Sequence, residues 1–456
     1  MKKALLPILL AVASCFGACQ TEIRYLLDDQ GRETVLHGLN VSNNAKTAAG
    51  GLGWHTQADF QRMQDWGFNV VRLLIFWSHL EPQPGQIDSA YLDRVADRVD
   101  WAHAAGLQVV LDAHQDLYGP KFGGDGAPEW ATWDDGLPFF PLDLWWLNYL
   151  QAPVRAAFSH LWNDPGLQDH YAQAWAAVAE RFGNHPAVIG YDLMNEPFYG
   201  NEGIGYFENH KLAPFYRSVS AAIRTKDPDA RIFFEPVALA TASGLPSQMD
   251  AYGDTNAVYF PHYYDPIVHE GIGYFGAPWL LDLVLSIKAR EADRHGVPLM
   301  IGEFGASPNT PAYEAYLDQL MASMDRYASG WMAWSYDRSN DIGNTSGDFG
   351  VIDAAGNERG NLLHMIRTYP QAVAGRIEEY FYDPSRQWFE LRYSNRAGVQ
   401  GPTEIHVPER FHYAQGFQVF SSDPPGTWSW QWDPQRQVVS VWHDPQSENH
   451  LIQIRP

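Results

Sequence analysis

Cysteine and basic residues are scarce in this sequence. Its 456 residues include only two cysteines, Cys15 and Cys19, and both lie at the end of an N-terminal apolar run. The rest of the chain therefore has neither a disulfide framework nor a cysteine-based zinc site. Lysine and arginine total 31 against 54 acidic residues, which gives a net charge of −23. Because nucleic acids are bound through basic patches, this charge argues against a nucleic-acid partner.

Nucleotide-binding loops and long hydrophobic runs are also missing. No Gly-x-Gly-x-x-Gly follows the first predicted strand and no Walker loop is present, which weakens the alternative of a doubly wound sheet. The apolar run ALLPILLAVA follows Lys2 and Lys3 and is too short to span a bilayer. It is typical of an export signal, so we predict a signal segment over residues 1–19.

The two cysteines leave the mode of export open. VASC and FGAC both resemble the bacterial lipobox, in which the cysteine is lipidated after cleavage. VASC matches better by residue type, and FGAC leads more naturally into the polar QTE. A plain secretory signal is the alternative. We expect a protein that is secreted or lipid-anchored to the bacterial envelope, and a monomer by default.

Strand-like and helix-like patterns alternate from about residue 34 to 368. Eight apolar runs suit buried parallel strands: TVLHGLNV, NVVRLLIF, LQVVLDAH, AVIGYDLMN, RIFFEP, AVYFPHYY, PLMIGEFG and GWMAWSY. Amphipathic stretches such as AYLDRVADRVDWAHAAG lie between them, and several end in glycine, as helices often do. The pattern predicts an α/β fold, a (β/α)8 TIM barrel with insertions, as the catalytic domain over residues 20–370.

The pattern changes after Pro370. Short alternating segments such as WFELRYS and QVVSVWH are separated by glycine, proline, asparagine and aspartate. They predict a small antiparallel β-sandwich over residues 371–456. Its tryptophans could stack on sugars, as in a carbohydrate-binding module, or pack against the core or the neighbouring domain; they are Trp388, Trp428, Trp430 and Trp432.

Aromatic residues are abundant, with 18 Trp, 23 Tyr and 23 Phe, and two long loops are rich in them. One loop follows the third predicted strand and includes PEWATWDDGLPFFPLDLWWLNYL, and the other follows the sixth and contains GIGYFGAPWLLDL. Long structured loops in a compact domain tend to be functional. We expect an apolar wall near the site, and a satellite core under the loops is the alternative.

All eight predicted strands end in polar, ionisable or aromatic residues. In a TIM barrel the chemistry lies on the loops that follow the strands, so these side chains would line one pocket. The residues at or near the strand ends are Asn40, Lys46, Arg72, His114, Asp116, Asn195, Glu196, Glu235, His262, Tyr264, Glu303 and Trp334.

Two of these carboxylates stand out, Glu196 in YDLMNEPF and Glu303 in IGEFG. Pro197 closes the fourth strand and biases Glu196 toward an extended conformation. The stretch between the two glutamates fits three βα units of about 31 residues each plus insertions, which places them across the barrel mouth. Cleavage of a glycosidic bond needs two facing carboxylates, one to protonate the leaving oxygen and one to attack the anomeric carbon or activate water.

YDLMNEPF and IGEFG resemble the retaining glycoside hydrolases of family 5 and their wider clan, over residues 34–368. The resemblance implies that Glu196 is the acid/base and Glu303 the nucleophile, with no cofactor. It also implies that the family's other active-site residues fall on Arg72, His114, Asn195, His262, Tyr264 and Trp334. This chemistry needs no metal, and no HExxH or His-rich cluster accompanies the two histidines.

A narrower resemblance, over nearly the whole mature chain, is to the endoglycoceramidases. LHGLNVSNNAK, DAHQDLYG and the C-terminal sandwich carry it. These enzymes hydrolyse the β-bond between an intact oligosaccharide and ceramide, so the implied partner is a glycosphingolipid in membranes or micelles. Lys46 and Asp116 would then contact the glycan, and the aromatic loops would hold ceramide. The alternatives are a family 5 endo-β-1,4-glucanase or β-glucosidase acting on soluble glycans, and a simple-glycosylceramide hydrolase.

The implied roles set requirements that a structure can test. Retention requires carboxyl groups roughly 5–5.5 Å apart. Glu196 needs a raised pKa, and Glu303 needs positive charge or hydrogen bonds to stay ionised. Arg72 and Tyr264 are the expected partners of Glu303. Asn195 would hold the sugar 2-hydroxyl, and Trp334 would stack under the sugar.

Overall fold

A computed structural model of the protein describes residues 22–238, 242–339 and 348–456. The predicted signal segment, with Cys15 and Cys19, lies outside these ranges. Within them, no helix is both long and apolar enough to cross a membrane.

Eight parallel strands form the predicted barrel. Numbered along the chain, they are β3 Leu36–Val41, β4 Val70–Ile75, β5 Gln108–Ala113, β6 Val188–Asp192, β7 Ile232–Phe234, β8 Ala257–Tyr259, β9 Met300–Ile301 and β10 Gly330–Ala333. They pair in chain order, and β10 returns to β3. A bridge between Tyr259 and Leu299 joins β8 to the start of β9 and closes the ring. The prediction of a TIM barrel is confirmed.

Helices pack around the barrel and lie in its loops, and one short helix, the last, lies in the C-terminal region. They are α1 Gln57–Asp65, α2 Trp77–Leu80, α3 Ser89–Ala104, α4 Ala152–Asn163, α5 Pro165–Phe182, α6 Ile204–Phe207, α7 Ala213–Arg224, α8 Pro266–His269, α9 Pro278–His295, α10 Tyr313–Tyr327, α11 Gly360–Met365 and α12 Glu409–His412. Helix α3 begins where the Asp88 side chain accepts the N–H of Tyr91. It ends just before Gly106, whose φ of 78° suits a residue without a Cβ.

Alternation along β4 explains how a charged side chain enters the barrel. Successive residues of a strand point to opposite faces, so Val70, Arg72 and Leu74 share the inner face. Val71 and Leu73 pack outward in the cluster that also contains helix residues. Val70 joins a separate apolar cluster with Val110, Phe233, Met300 and other strand residues, which fills the barrel interior. Arg72 therefore lies above an apolar floor.

Two antiparallel sheets form the predicted C-terminal sandwich. The first contains β1 Leu26–Leu27, β2 Glu33–Thr34, β11 Tyr369–Val373, β14 Thr403–His406, β17 Val438–Trp442 and β16 Ser429–Asp433, in that order. The second contains β12 Arg376–Asp383, β13 Trp388–Ser394, β18 Asn449–Arg455 and β15 Gln418–Ser421. Apolar residues of both sheets share one core. The first sheet also includes the N-terminal hairpin β1–β2, which the sequence assigned to the barrel, and the boundary at residue 370 stays a prediction.

The four sandwich tryptophans have different surroundings. Trp428 and Trp432 pack against the sandwich core. Arg386 covers the ring of Trp388, and Trp430 is exposed. Packing therefore accounts for three of the four, and sugar binding by this domain stays an open alternative.

Two histidines are buried at the contact between barrel and sandwich. The ring of His37 on β3 stacks between Trp331 and Tyr369, with centroid distances of 4.2 and 3.8 Å. His406 on β14 faces Gly67, where an added Cβ would lie 2.0 Å from its Nε2. Burial lowers the pKa of His37 well below the ordinary value and that of His406 to about 3. Both imidazoles are therefore neutral in the folded protein.

We expect these histidines to make the fold sensitive to acid. A depressed folded pKa contributes stability that is complete above the unfolded pKa of about 6.5 and is lost as the pH falls below it. His37→Phe keeps a stacked ring but removes the titration. Between pH 6.5 and 5 the free energy of unfolding should decrease by about 2 kcal/mol less in the variant than in the parent protein. Denaturant unfolding at several pH values measures this, with His103→Phe on an exposed helix surface as the control. If the free energy of unfolding changed with pH in the same way for all three proteins, this prediction would be wrong.

Candidate active site

Arg72 is the centre of the site and is fully buried. Its guanidinium donates hydrogen bonds to Asp192 Oδ2 (2.8 Å), Asn40 Oδ1 (3.0 Å), Glu303 Oε1 (2.6 Å), Asn195 Oδ1 (2.9 Å) and Glu235 Oε1 (3.1 Å). Asp112 Oδ1 also lies 3.0 Å from Nη2. Planar, fork-shaped donors suit Arg72 to this task, because one guanidinium can orient several acceptors at once.

Glu303, which follows β9, is held by two donors. Arg72 Nη1 donates to Oε1, and the Tyr264 hydroxyl donates to Oε2 at 2.9 Å. His262 Nδ1 lies 3.5 Å from the same Oε2. Both expected partners of Glu303 are therefore in contact with it. Positive charge and a phenol donor stabilise the ionised carboxylate, which is the form that a nucleophile requires.

Glu196, which follows β6, adopts a backbone conformation that the sequence did not indicate. Its φ is +42°, in the left-handed region, so the expectation of an extended backbone was wrong. Two side chains stabilise this conformation: Glu235 Oε2 accepts the Glu196 N–H at 3.0 Å, and Gln115 Nε2 donates to the carbonyls of Asn195 and Glu196, both at 2.9 Å. These contacts outweigh the local bias from Pro197, because strained residues persist only where their surroundings fix them.

The two glutamates face each other across the mouth. A carboxylate oxygen of Glu196, one of Glu303 and a ring nitrogen of His262 all lie within 4.8 Å of one another. His262 Nδ1 is 3.1 Å from Glu196 Oε1. The arrangement leaves room for one anomeric centre between an attacking and a protonating group.

Charges around His262 reverse one expectation about Glu196. Burial would lower the pKa of His262, but Glu235, Glu303 and a hydrogen bond to Glu196 raise it well above its ordinary value. Burial would raise the pKa of Glu196, but the hydrogen bond and charge of His262, with Lys46 and Arg72, lower it. The expected raised pKa is therefore wrong for the free protein, because the proton is held on the imidazole beside Glu196.

A second group of residues forms one wall of the site. Lys46 Nζ lies 2.6 Å from Asp116 Oδ2 and 4.4 Å from the centroid of the Trp334 ring. His114 stacks on Trp334 at 5.6 Å, and its Nδ1 lies 2.7 Å from Asp112 Oδ2. An aromatic ring flanked by charged groups is suited to stacking against a sugar and binding its hydroxyls. The structure thus brings the ten residues that the two resemblances assign to the site to one end of the barrel.

Sequence reasoning missed several residues that contribute to this site. Asp112 and Asp192 lie inside the apolar runs of β5 and β6, and both contact Arg72. An acid inside a fully buried strand must be paired, so Arg72, inside the buried strand β4, was a signal that could have found them. Tyr149, from the aromatic loop after β5, lies 3.5 Å from Asp116 through its hydroxyl. Asp125 lies beside Asp116, and only folding brings it there.

Two clusters in the described residues have enough acids and imidazoles to hold a cation. They are His114, Asp116 and Asp125, and Glu196, His262 and Glu303. In each cluster a basic side chain already contacts a carboxylate, Lys46 on Asp116 and Arg72 on Glu303. A divalent cation would be repelled by these charges at close range. That the chemistry uses no metal or cofactor stays a prediction.

Comparisons with known proteins agree with this geometry. Residues 27–340 match the cellulase model of glycosyl hydrolase family 5, and residues 367–454 match the family 5 C-terminal domain. Endoglycoceramidase I of Rhodococcus hoagii is 33% identical over 429 residues, which cover 88% of this chain and 81% of that protein.

Solved structures of endo-glycoceramidase II from Rhodococcus sp. are also similar. The complex with ganglioside GM3 aligns with a TM-score of 0.86 and 34% identity, covering 95% of this chain and 99% of that chain. The lactosyl-enzyme intermediate aligns with a TM-score of 0.85 and 35% identity over the same shares.

A TIM barrel with two glutamates facing each other at its mouth defines the class of protein, a glycoside hydrolase. The matched model spans more than half of the sequence, and a relative above 30% identity extends over most of it. The chain belongs to glycosyl hydrolase family 5.

Proposed function

We propose that the protein cleaves the β-glycosidic bond between oligosaccharide and ceramide in glycosphingolipids, with retention of anomeric configuration. Glu303 is the nucleophile and Glu196 the acid/base. The main support is the different environment of each glutamate: Glu303 contacts Arg72 and Tyr264, whereas Glu196 contacts the imidazole of His262. The relatives that carry endoglycoceramidase names support the substrate.

In the first step a Glu303 oxygen attacks the anomeric carbon as the bond to the ceramide oxygen breaks. Glu196 delivers a proton to that oxygen, so ceramide leaves as a neutral alcohol and the sugar stays on Glu303 as an ester. Asn195 is oriented for the sugar, because Arg72 fixes its Oδ1 and the Gln115 carbonyl accepts one Nδ2 hydrogen at 3.0 Å. The second Nδ2 hydrogen can bind the 2-hydroxyl, an interaction that strengthens in the transition state.

In the second step Glu196 takes a proton from water, and the oxygen of that water attacks the anomeric carbon. The ester to Glu303 breaks and both carboxylates return to their starting state. Attack from opposite faces in the two steps gives overall retention. The close approach of the two carboxylates supports this route over an inverting one, which needs about 6.5–9.5 Å to admit a water.

An exposed apolar surface near the barrel mouth supports a lipid aglycone. This apolar rim comprises Trp133, Leu137, Phe140, Leu142, Leu144, Trp146, Leu150, Ile267, Ile272, Phe275 and Trp279. Its residues come from the loop after β5 and from the segment after β8, on the side where barrel strands end. Large exposed apolar residues in such number are common at ligand grooves and membrane contacts. We propose that the rim contacts ceramide and the membrane that contains it.

Export to the cell surface or medium is part of this proposal. Its support is the sequence of residues 1–19, a basic start followed by a short apolar run. Mass spectrometry of the mature N-terminus after expression in a bacterial host distinguishes a lipid on Cys15 or Cys19 from a plain cleaved end.

Product analysis tests the substrate. The purified protein is incubated with a detergent-dispersed ganglioside and, separately, with a soluble β-1,4-glucan. The products are then identified by mass spectrometry. Intact oligosaccharide with intact ceramide is the expected result. Short glucans with an untouched ganglioside would replace the proposal by a family 5 glucanase. Cleavage only of glycolipids with a single sugar would make it a simple-glycosylceramide hydrolase.

The apolar rim gives a prediction about membrane binding. Phe275 is 77% exposed and Trp279 60% exposed. Changing both to serine removes apolar area worth on the order of 1–2 kcal/mol in transfer, so binding to neutral phosphatidylcholine vesicles should weaken about tenfold. Vesicle sedimentation measures binding, and the KM for a ganglioside should rise accordingly. Trp430→Ser, an exposed tryptophan of the sandwich, is the control. Equal vesicle binding by all three proteins would rule out this surface.

A further inference from the structure

Glu235, at the end of β7, is buried and contacts three members of the site. Its Oε2 accepts the backbone N–H of Glu196 at 3.0 Å. Its Oε1 lies 3.0 Å from His262 Nε2 and 3.1 Å from Arg72 Nη2. The side chains of His262 and Glu235 are both fully buried where they meet. Glu235 is therefore not exposed to solvent at the barrel mouth.

Glu235, His262 and Glu196 form a chain of contacts. His262 uses Nε2 toward Glu235 and Nδ1 toward Glu196 Oε1, at 3.0 and 3.1 Å. Glu235 thus reaches Glu196 by two routes, directly through the backbone and indirectly through the imidazole. The first route fixes where the Glu196 side chain starts, at a φ of +42°. The second places a negative charge behind the imidazole.

We propose that Glu235 is a positioning residue that keeps a proton available to the acid/base: one oxygen holds the Glu196 backbone and the other holds His262 as its charged partner. This inference rests on the proposed function, because it takes Glu196 as the acid/base. The proton moves from Nδ1 of His262 to Glu196, so an N–H bond breaks and an O–H bond forms. Glu196 then gives a proton to the departing oxygen, and the attacking water later returns one to the pair.

Charges from several strands act on this chain. Facing His262 and Glu235 are Arg72 from β4, Asp112 from β5, Asp192 and Glu196 from β6 and its following loop, Tyr264 after β8 and Glu303 after β9, with Lys46 after β3. Burial raises the pKa of Glu235, whereas the charges of His262 and Arg72 lower it. Both Glu235 oxygens face donors, the Glu196 N–H on one side and Arg72 with His262 on the other, so the contacts favour the ionised carboxylate.

The test is the pH profile of kcat/KM for Glu235→Gln on two soluble aryl β-lactosides. One has phenol as a poor leaving group that needs acid assistance, and the other has dinitrophenol, which needs little. Loss of the negative charge weakens proton binding by His262. The alkaline limb with the phenyl substrate should therefore move about one unit to lower pH. Its kcat/KM at pH 8 should fall by up to tenfold relative to that of the dinitrophenyl substrate.

Glu33→Gln is a matched control. Glu33 is also buried, accepts a backbone N–H, from Ile377 at 2.7 Å, and pairs with an arginine, Arg396 at 3.3 Å, but it lies in the sandwich sheet. It should leave the pH profile unchanged. The proposal would be overturned if E235Q lowered kcat/KM equally on both substrates at every pH and left both limbs of the profile in place. Glu235 would then be a structural residue.

Measurements on the unaltered protein cover the case in which E235Q does not fold. Nitrogen-15 NMR of the histidine side chains should find His262 doubly protonated at pH 8, with its signal assigned through a His262→Gln variant. A neutral His262 at pH 8 would overturn the proposal. Because both experiments use soluble substrates or none, their outcome is separate from whether the protein accepts glycosphingolipids.

Discussion

Glutamine in place of Glu303 is expected to reduce turnover by about 10⁴-fold or more, because the variant has no carboxylate to form the glycosyl-enzyme. The fold should persist. Four buried carboxylates share Arg72, namely Asp112, Asp192, Glu235 and Glu303, so the variant removes one negative charge from a crowded acidic group. Product release from a ganglioside, followed by mass spectrometry, measures the loss.

Glu208→Gln is the control for Glu303→Gln. Glu208 is another buried glutamate, but it accepts hydrogen bonds from Val237, Ser247 and Gln248. We expect it to lower the melting temperature and retain most of the activity. The unaltered protein should also be labelled by a 2-fluoro aryl glycoside on the peptide that contains Glu303. A label on the Glu196 peptide would mean that Glu196 is the nucleophile. E303Q activity within tenfold of the parent would mean that Glu303 is not the nucleophile.

Alanine in place of Glu196 should give a loss that depends on the leaving group. General acid–base catalysis contributes about 10²–10⁴-fold, so ganglioside cleavage should fall by that factor. A dinitrophenyl glycoside needs no acid, so its first step should stay fast and the glycosyl-enzyme should accumulate. A burst of dinitrophenol followed by a slow steady state, recorded by stopped-flow absorbance, is the expected signature.

Azide provides the second measurement on Glu196→Ala. A small anion can enter the space left by the side chain and attack the glycosyl-enzyme without base assistance. We expect azide to restore turnover and to yield the β-glycosyl azide, identified by NMR, since two displacements preserve the configuration. An α-azide would mean a single displacement, and no rescue with equal losses on both substrates would mean that Glu196 has no acid/base role.

The fold was predictable because its signals are local and repeated. Each barrel strand is a short apolar run, and each is followed by a polar or aromatic residue that the barrel brings to one end. That regularity is enough to select Glu196, Glu303 and Arg72 from the sequence alone. It is also enough to place Lys46 and Asp116 in the same pocket.

The features that the sequence did not predict depend on contacts between distant segments. The left-handed backbone of Glu196 requires Glu235 and Gln115, which are far from it in the chain. The lowered pKa of Glu196 depends on where His262 comes to lie, and no local pattern encodes that distance. The pairing of residues 33–34 with 372–373 joins segments on either side of the barrel sequence, and two-residue strands carry almost no periodic signal.

That pairing has a consequence for how the protein is made. Strand β2 is translated early, yet its partner β11 appears only after the whole barrel sequence has been synthesised. Until then the N-terminal hairpin has an open edge, and contacts of such long sequence separation form slowly. A shortened chain that ends before β11 would leave the hairpin edge unpaired, so the sandwich is needed to complete the fold that begins at the N-terminus.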